Sequence, residues 1–231
     1  MKKFHLQLLI AVLIVLAQPA LAQTVKLAKI ALGMSDNEVK TALSSTAPLY
    51  IDLASDYPDM YYLVAETEME SYAFTLIDGK VVGFSVVHIL PPGQLPFLPS
   101  GQQPTVSILR DLITKQTWTP AEINKGDSLW FSDATGAPLS NPSQCRPESS
   151  KAWLPFGLVP SAKPGDTPAK SIEGLMKPLI TSYPSKCGVS IHLNQQPGGD
   201  ENSVVKSVRY QVLNIKAIND FHAKHSKHQV Q

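Results

Sequence analysis

The stretch Met69–Leu90, MESYAFTLIDGKVVGFSVVHIL, decides how the chain is read. Tyr72, Phe74 and Leu76 alternate with Ala73, Thr75 and Ile77. Val82, Phe84 and Val86 alternate with Gly83, Ser85 and Val87. Period-two alternation rich in β-branched and aromatic residues is the signature of strands. Asp78-Gly79 between the two runs marks the turn of a hairpin. A two-residue turn would pair Ile77 with Lys80, set Phe74 opposite Gly83 and throw the two large sets onto opposite faces. A one-residue slip reverses every side chain, so the apolar pattern should choose the register. A three-residue loop, Ile77 to Gly79, sets Phe74 opposite Val82 and Tyr72 opposite Phe84. The expectation is that loop, with Gly79 left-handed in a bulge. It shields Tyr72, Phe74, Val82 and Phe84 together beneath a helix.

Upstream, Leu32-Gly33-Met34-Ser35-Asp36-Asn37-Glu38-Val39 opens the helix that could cover this hairpin. Ser35 followed three residues later by Glu38 is a capping box, and Val39, Ala42 and Leu43 give one apolar face. The helix should end near Ser45, before Pro48. Tyr61–Glu66 reads as a first strand leading into the hairpin, so 23–90 holds a helix and a three-stranded antiparallel sheet.

Further upstream lies the strongest signal for location. Lys2 and Lys3 precede an apolar run from Leu6 to Ala17, and Ala20-Leu21-Ala22 fits a small-residue cleavage site. Residues 1–22 read as a signal peptide. The run is shorter than the ~20 residues a bilayer span needs. No cysteine sits near the cut, so no membrane anchor is expected after cleavage. The destination is periplasmic or secreted. Net charge is +1 over 231 residues, which gives no electrostatic case for nucleic acid or an anionic membrane surface.

Downstream, Pro91–Pro104 (PPGQLPFLPSGQQP) can neither continue a strand nor start a helix, and 91–104 reads as a linker. A second α+β half, 105–231, follows. Thr105–Gln116 is a helix by the spacing of Val106, Leu109, Leu112 and Ile113. Ser128–Ser132 is a short strand and Asp133–Gly136 a turn. Thr167-Pro168 opens another helix, with Ile172, Leu175, Met176 and Leu179 on one face. Gly188–Leu193 and Ser203–Asn214 are strands, with Val189, Ile191, Leu193, Val204, Val208, Tyr210 and Val212 inward. Ala217–Lys227 is a final helix. The fold class is α+β, with antiparallel sheets and helices packed on one face. The shared order of helix then strands leaves a duplicated module open.

The two cysteines, Cys145 and Cys187, form no Cys-x-x-Cys pair. In an oxidising compartment they read as one disulfide. It closes a loop of about 40 residues, on the order of 4 kcal/mol in the chain-entropy picture.

Common catalytic signatures are missing. There is no Gly-x-Ser-x-Gly elbow, phosphate loop, dinucleotide glycine pattern or His-Glu-x-x-His motif. No catalytic residue and no cofactor is assigned. His88 falls on the Phe84 face near Glu70, which makes either an acid–base pair or a rim ion pair, and the latter is preferred. His192 alternates with Ile191 and Leu193 and faces away from the core. His222 and His225 would share a helix face, where they could hold a transition metal; a solvated basic end is the plainer reading. Trp118, Trp130 and Trp153 are candidate binding residues, weighed against ordinary core packing.

The segment Leu32–Val39, followed by strands, resembles small envelope modules of helix plus sheet. These are the SmpA/OmlA outer-membrane assembly lipoproteins and the tandem-repeat β-lactamase inhibitory protein. The resemblance covers about Ile30 to Leu90. It implies binding to another protein through sheet and loops, without catalysis. Unlike the assembly lipoproteins, this chain has no cysteine to carry a lipid. The functional expectation is an exported, non-catalytic protein of the cell envelope that binds another envelope protein: an inhibitor, immunity or assembly factor. The alternative is a periplasmic hydrolase of unfamiliar type using dispersed Asp, Glu and His.

Overall fold

A computed structural model of the chain describes residues 30–46, 48–54, 57–67, 70–89, 102–116, 120, 122–124, 126–141, 144–145, 183–196 and 199–226. Outside them fall the signal peptide 1–22, most of the linker, Trp118, Trp153, His228 and the helix expected from Thr167.

The alternation read in the sequence is spent on one open antiparallel sheet. Its strands are β1 (Leu49–Ala54), β2 (Met60–Glu66), β3 (Glu70–Ile77), β4 (Lys80–Ile89), β5 (Glu122–Asn124), β6 (Asp127–Asp133), β7 (Cys187–Gln196) and β8 (Ser207–Asn214). Their order across the sheet is β1-β2-β3-β4-β8-β7-β6-β5. Helix α1 (Asp36–Leu43) precedes β1, α2 (Val106–Gln116) precedes β5, and α3 (Ile215–Ser226) follows β8. Each half is thus a helix followed by four antiparallel strands. The halves join where β4 pairs with β8, from Gly83 opposite Leu213 to Ile89 opposite Ser207.

The first half has four strands, not the three expected. Leu49–Ala54 (LYIDLA) adds an edge strand to β2, with Ile51 opposite Val64. Its residues are nearly all apolar, so the sequence shows no alternation there. Likewise Glu122–Asn124 forms the opposite edge, unseen in the sequence because it is three residues long. The two expected sheets are one, and the core continues across the join.

The hairpin register is corrected. Ile77 pairs with Lys80, so the turn has two residues, Asp78 and Gly79, both at positive φ (50° and 71°). That is the geometry an Asp-Gly hairpin turn favours, because its twist suits the flanking strands. The compensating irregularity lies inside β4. Leu76 pairs with Val81 and Thr75 with Gly83, leaving Val82 as a bulge residue. Beyond it, Phe74 faces Phe84 and Tyr72 faces Val86. The slip demanded by the apolar pattern is taken in the strand rather than in the loop. Val82 is therefore the one member of the expected foursome that lies elsewhere.

Adjacent residues Trp130 and Phe131, and Val212 and Leu213, fall in separate buried clusters, which identifies the two faces of the sheet. On the first face, Tyr72, Phe74, Leu76, Val81, Phe84, Val86, Trp130, Ile191, Val208, Tyr210 and Val212 pack with Val39 and Leu43 of α1 and Val106, Leu109 and Ile113 of α2. On the second, Met60, Tyr62, Val82, Phe131 and Leu213 pack with Ile215, Ile218 and Phe221 of α3. So α1 and α2 share a face, and α3 covers one end of the other.

The helices start where their caps place them. Ser35 and Glu38 exchange both bonds of the expected capping box. Asn214 accepts the Ala217 amide at 3.0 Å, which starts α3 at once after β8 rather than at Ala217. Val205, not Val204, is the buried residue before β8. Cys145 and Cys187 form the expected disulfide, both fully buried in the second cluster. Among the described residues, no helix is long and apolar enough to cross a membrane.

Candidate functional site

Two His–carboxylate couples lie on opposite faces of the sheet. Glu70 and His88 pair directly across β3 and β4. Both alternate with Tyr72 and Val86 onto the helix-covered face. His88 Nδ1 is 2.8 Å from Glu70 Oε1, and the Tyr72 hydroxyl donates to Glu70 Oε2 at 2.5 Å. The His88 bond holds the Glu70 carboxyl below its usual range, helped by Tyr72 and opposed by burial. Burial and the bond to Glu70 push the Tyr72 hydroxyl well up. The His88 and Glu70 side chains are only 6% and 15% exposed. Both oxygens of Glu70 are thus engaged inside the core. The couple is more deeply set than the rim pair the sequence suggests.

The second couple is His192 with Asp127, on β7 and β6. Here Ser190, His192 and Asn194 alternate with Ile191 and Leu193, so the polar set faces away from α1 and α2, as expected for His192. On β8, Arg209 and Gln211 alternate with Val208, Tyr210 and Val212 and share that second face. Register brings the two sets together. Gln211 lies opposite His192, and Arg209 opposite Asn194, which in turn lies opposite Asp127. His192 Nε2 is 2.8 Å from Asp127 Oδ1, and Asn194 Nδ2 donates to the same oxygen at 2.8 Å. His192 Nδ1 is 3.2 Å from the Gln211 side-chain oxygen. An imidazolium donates to both acceptors; a neutral ring carrying its proton on Nε2 is matched by turning the Gln211 amide over. The His192 bond, then Asn194, hold the Asp127 carboxyl below its ordinary range, against burial. His192 and Asp127 are 24% and 44% exposed. This cluster is set on paired interior strands and reaches the surface.

The sequence reading missed Asp127, Asn194, Arg209 and Gln211. Asp127 and His192 are 65 residues apart, so no spacing motif links them. The legible signal was the polar alternation of β7 and β8 themselves, which put Asn194 with His192 and Arg209 with Gln211.

The remaining candidates are placed as follows. Trp130 is fully buried on the first face, a core residue rather than an exposed anchor. His225 Nε2 lies 3.0 Å from Asp59 Oδ2, and Lys224 Nζ reaches the same oxygen at 2.6 Å. The His225 ring packs on Phe221 at 4.3 Å and on Tyr57 at 4.9 Å. This end of α3 is therefore bound down on the start of β2, not a free basic tail. Asp220, a neighbouring acid, pairs with Lys216 instead. Burial, then the charge of His225, lower the His222 value. Among the described residues, no group of three or more His, Cys, Asp or Glu is placed to hold a metal ion. The large exposed apolar residues, Leu49, Ile123 and Val204, stand on separate elements: β1, β5 and the segment before β8.

Compared with known proteins, the chain matches no family model, no curated protein and no solved structure.

Proposed function

We propose that the chain is an exported, non-catalytic protein of the cell envelope that binds another protein through the second face of its sheet. The observation that carries this reading is the closure of Glu70 and His88. That couple was the strongest foothold for acid–base chemistry, and both oxygens of its mostly covered carboxylate are already taken, by His88 and Tyr72. The other cluster, around His192 and Asp127, offers several hydrogen-bonding groups at half exposure on paired strands. Rigid, partly buried polar groups of this kind suit recognition, since they lose little freedom on binding. The Cys145–Cys187 disulfide supports an oxidising compartment, periplasmic or outside the cell. The resemblance of Leu32–Val39 to envelope modules that bind proteins points the same way.

The test is capture from envelope extract with the chain from Gln23 onward, identification of what is retained, and calorimetry with the purified candidate. A saturable complex without turnover supports the reading. Failure to retain any protein above a control surface would end it. The hydrolase alternative keeps one foothold, the half-exposed His192–Asp127 couple. A hydrolytic activity of the purified chain that vanishes in His192→Ala would establish it instead.

A further inference from the structure

Within the polar cluster one cation, Arg209, has no hydrogen-bond or ion-pair partner among the described residues, and its Nε is buried without an acceptor. Burial lowers the guanidinium from its ordinary value, and only the charge of Asp127 opposes this. One oxygen of Asp127 accepts from both His192 and Asn194, and neither oxygen is bonded to Arg209. The row across the second face therefore runs Val87, Arg209, Asn194, Asp127, with a half-buried guanidinium on β8 that feels the charge of Asp127 but is bonded by no described group. Such a charge is costly to keep unless something answers it.

We propose that Arg209 is the receptor for a carboxylate carried by an acidic segment of the bound protein, with Asn194 and Gln211 beside it on the same face. This deepens the protein-binding reading and rests on it. A guanidinium presents a planar fork of donors that matches a carboxylate, and partial burial strengthens the pair relative to open water. Asp127 repels a dianionic phosphate more than a monoanionic carboxylate, and no second unpaired cation stands in the row to offset that. A sheet face presents its side chains in a plane rather than enclosing them. That suits a carboxylate held out by another protein's surface better than a small free molecule, which needs enclosure.

The test titrates the purified chain at low salt with polyglutamate, polylysine and inorganic phosphate. Arg209→Gln, Arg209→Lys and the exposed control Lys115→Gln on α2 are measured alongside. Polyglutamate should bind the parent chain, and Arg209→Gln should weaken it by about tenfold or more. Arg209→Lys should fall between, Lys115→Gln should match the parent, and polylysine should not bind. Unchanged polyglutamate binding in Arg209→Gln, no binding by the parent, or tighter Arg209-dependent binding of phosphate would each overturn the proposal. Thermal midpoints are recorded for each variant. Because Arg209 makes no hydrogen bond or ion pair among the described residues, Arg209→Gln should stay close to the parent midpoint, and a collapse would equally overturn it. If the captured protein binds Arg209→Gln as well as the parent, this assignment fails while the binding reading stands. If nothing is captured, the binding reading itself has failed.

Discussion

Phe74 lies opposite Phe84 with ring centroids 6.4 Å apart, although the Asp78-Gly79 turn alone would place Phe74 opposite Gly83. The Val82 bulge reconciles the two. The turn obeys its own chemistry, the aromatic rows obey the core, and one inserted residue absorbs the difference in phase. Removing Val82 altogether should therefore cost little more than truncating it, because the shortened strand still sets Phe84 opposite Phe74. Val82→Ala should cost about 2 kcal/mol, the loss of a buried side chain on the second face. Deleting Val82 should close the ladder into a regular hairpin, with Leu76 still opposite Val81 and Phe74 still opposite Phe84, and should keep cooperative unfolding. Urea melts of both variants, followed by tryptophan fluorescence, make the comparison.

The Glu70–His88 couple predicts an acid limb to stability. The folded Glu70 carboxyl sits below its ordinary value of 4.5, so the unfolded chain takes up the proton first as pH falls. Its contribution is complete above that ordinary value and is lost as pH drops through the lower folded value. Glu70→Gln should flatten the fall of unfolding free energy below about pH 4.5. His88→Ala should be more damaging at neutral pH, by about 3 kcal/mol, because it leaves a buried carboxylate facing only Tyr72. Denaturant melts between pH 3 and pH 7 would read both effects; equal acid limbs in the parent and Glu70→Gln would contradict the first.

What the sequence revealed and what it hid divide along physical lines. Local rules carried the capping box at Ser35 and Glu38, the alternation of β3, β4, β7 and β8, and the pairing of two lone cysteines. Each is encoded within a few residues or by elimination. The hairpin register was not legible, because loop and strand offered two ways to satisfy one phase requirement and only packing chooses between them. The edge strands β1 and β5 gave no periodic signal, one being almost wholly apolar and the other too short. The second polar cluster depends on β6, β7 and β8 lying side by side, a topological fact that brings Asp127 to His192 across 65 residues. His192 could be read as outward-facing, but its partner could not be named.

Reduction of the disulfide should expose how much the second face relies on it. Cys145 and Cys187, 42 residues apart, join the segment after β6 to the first residue of β7, packed with Phe131 and Leu213. In the chain-entropy picture, losing that crosslink costs about 4 kcal/mol. The double variant Cys145→Ser/Cys187→Ser should unfold at markedly lower denaturant and with a steeper dependence on denaturant, since its unfolded chain is more open. A reducing agent should shift the parent to the same midpoint and leave the double variant unmoved.

Two glycines should respond to substitution for opposite reasons. Gly79 sits at positive φ, and a Cβ added there would meet nothing within 4 Å, so its constraint is the backbone alone. Gly79→Ala should cost about 1 kcal/mol, and Gly79→Asn less, because asparagine tolerates the left-handed region. At Gly188, beside the register shift of β6 and β7, an added Cβ would run into the carbonyl of Asp133, with the Ser132 hydroxyl at 2.9 Å. That hydroxyl already accepts the Val189 amide at 2.9 Å, so it cannot withdraw freely. Gly188→Ala should cost about 3 kcal/mol, the upper end for overpacking, and Gly188→Asn more still. Thermal melts of the four variants decide it: asparagine should rescue relative to alanine at 79 and aggravate at 188. The same order at both positions would mean that crowding by Asp133 is not what fixes glycine at the start of β7.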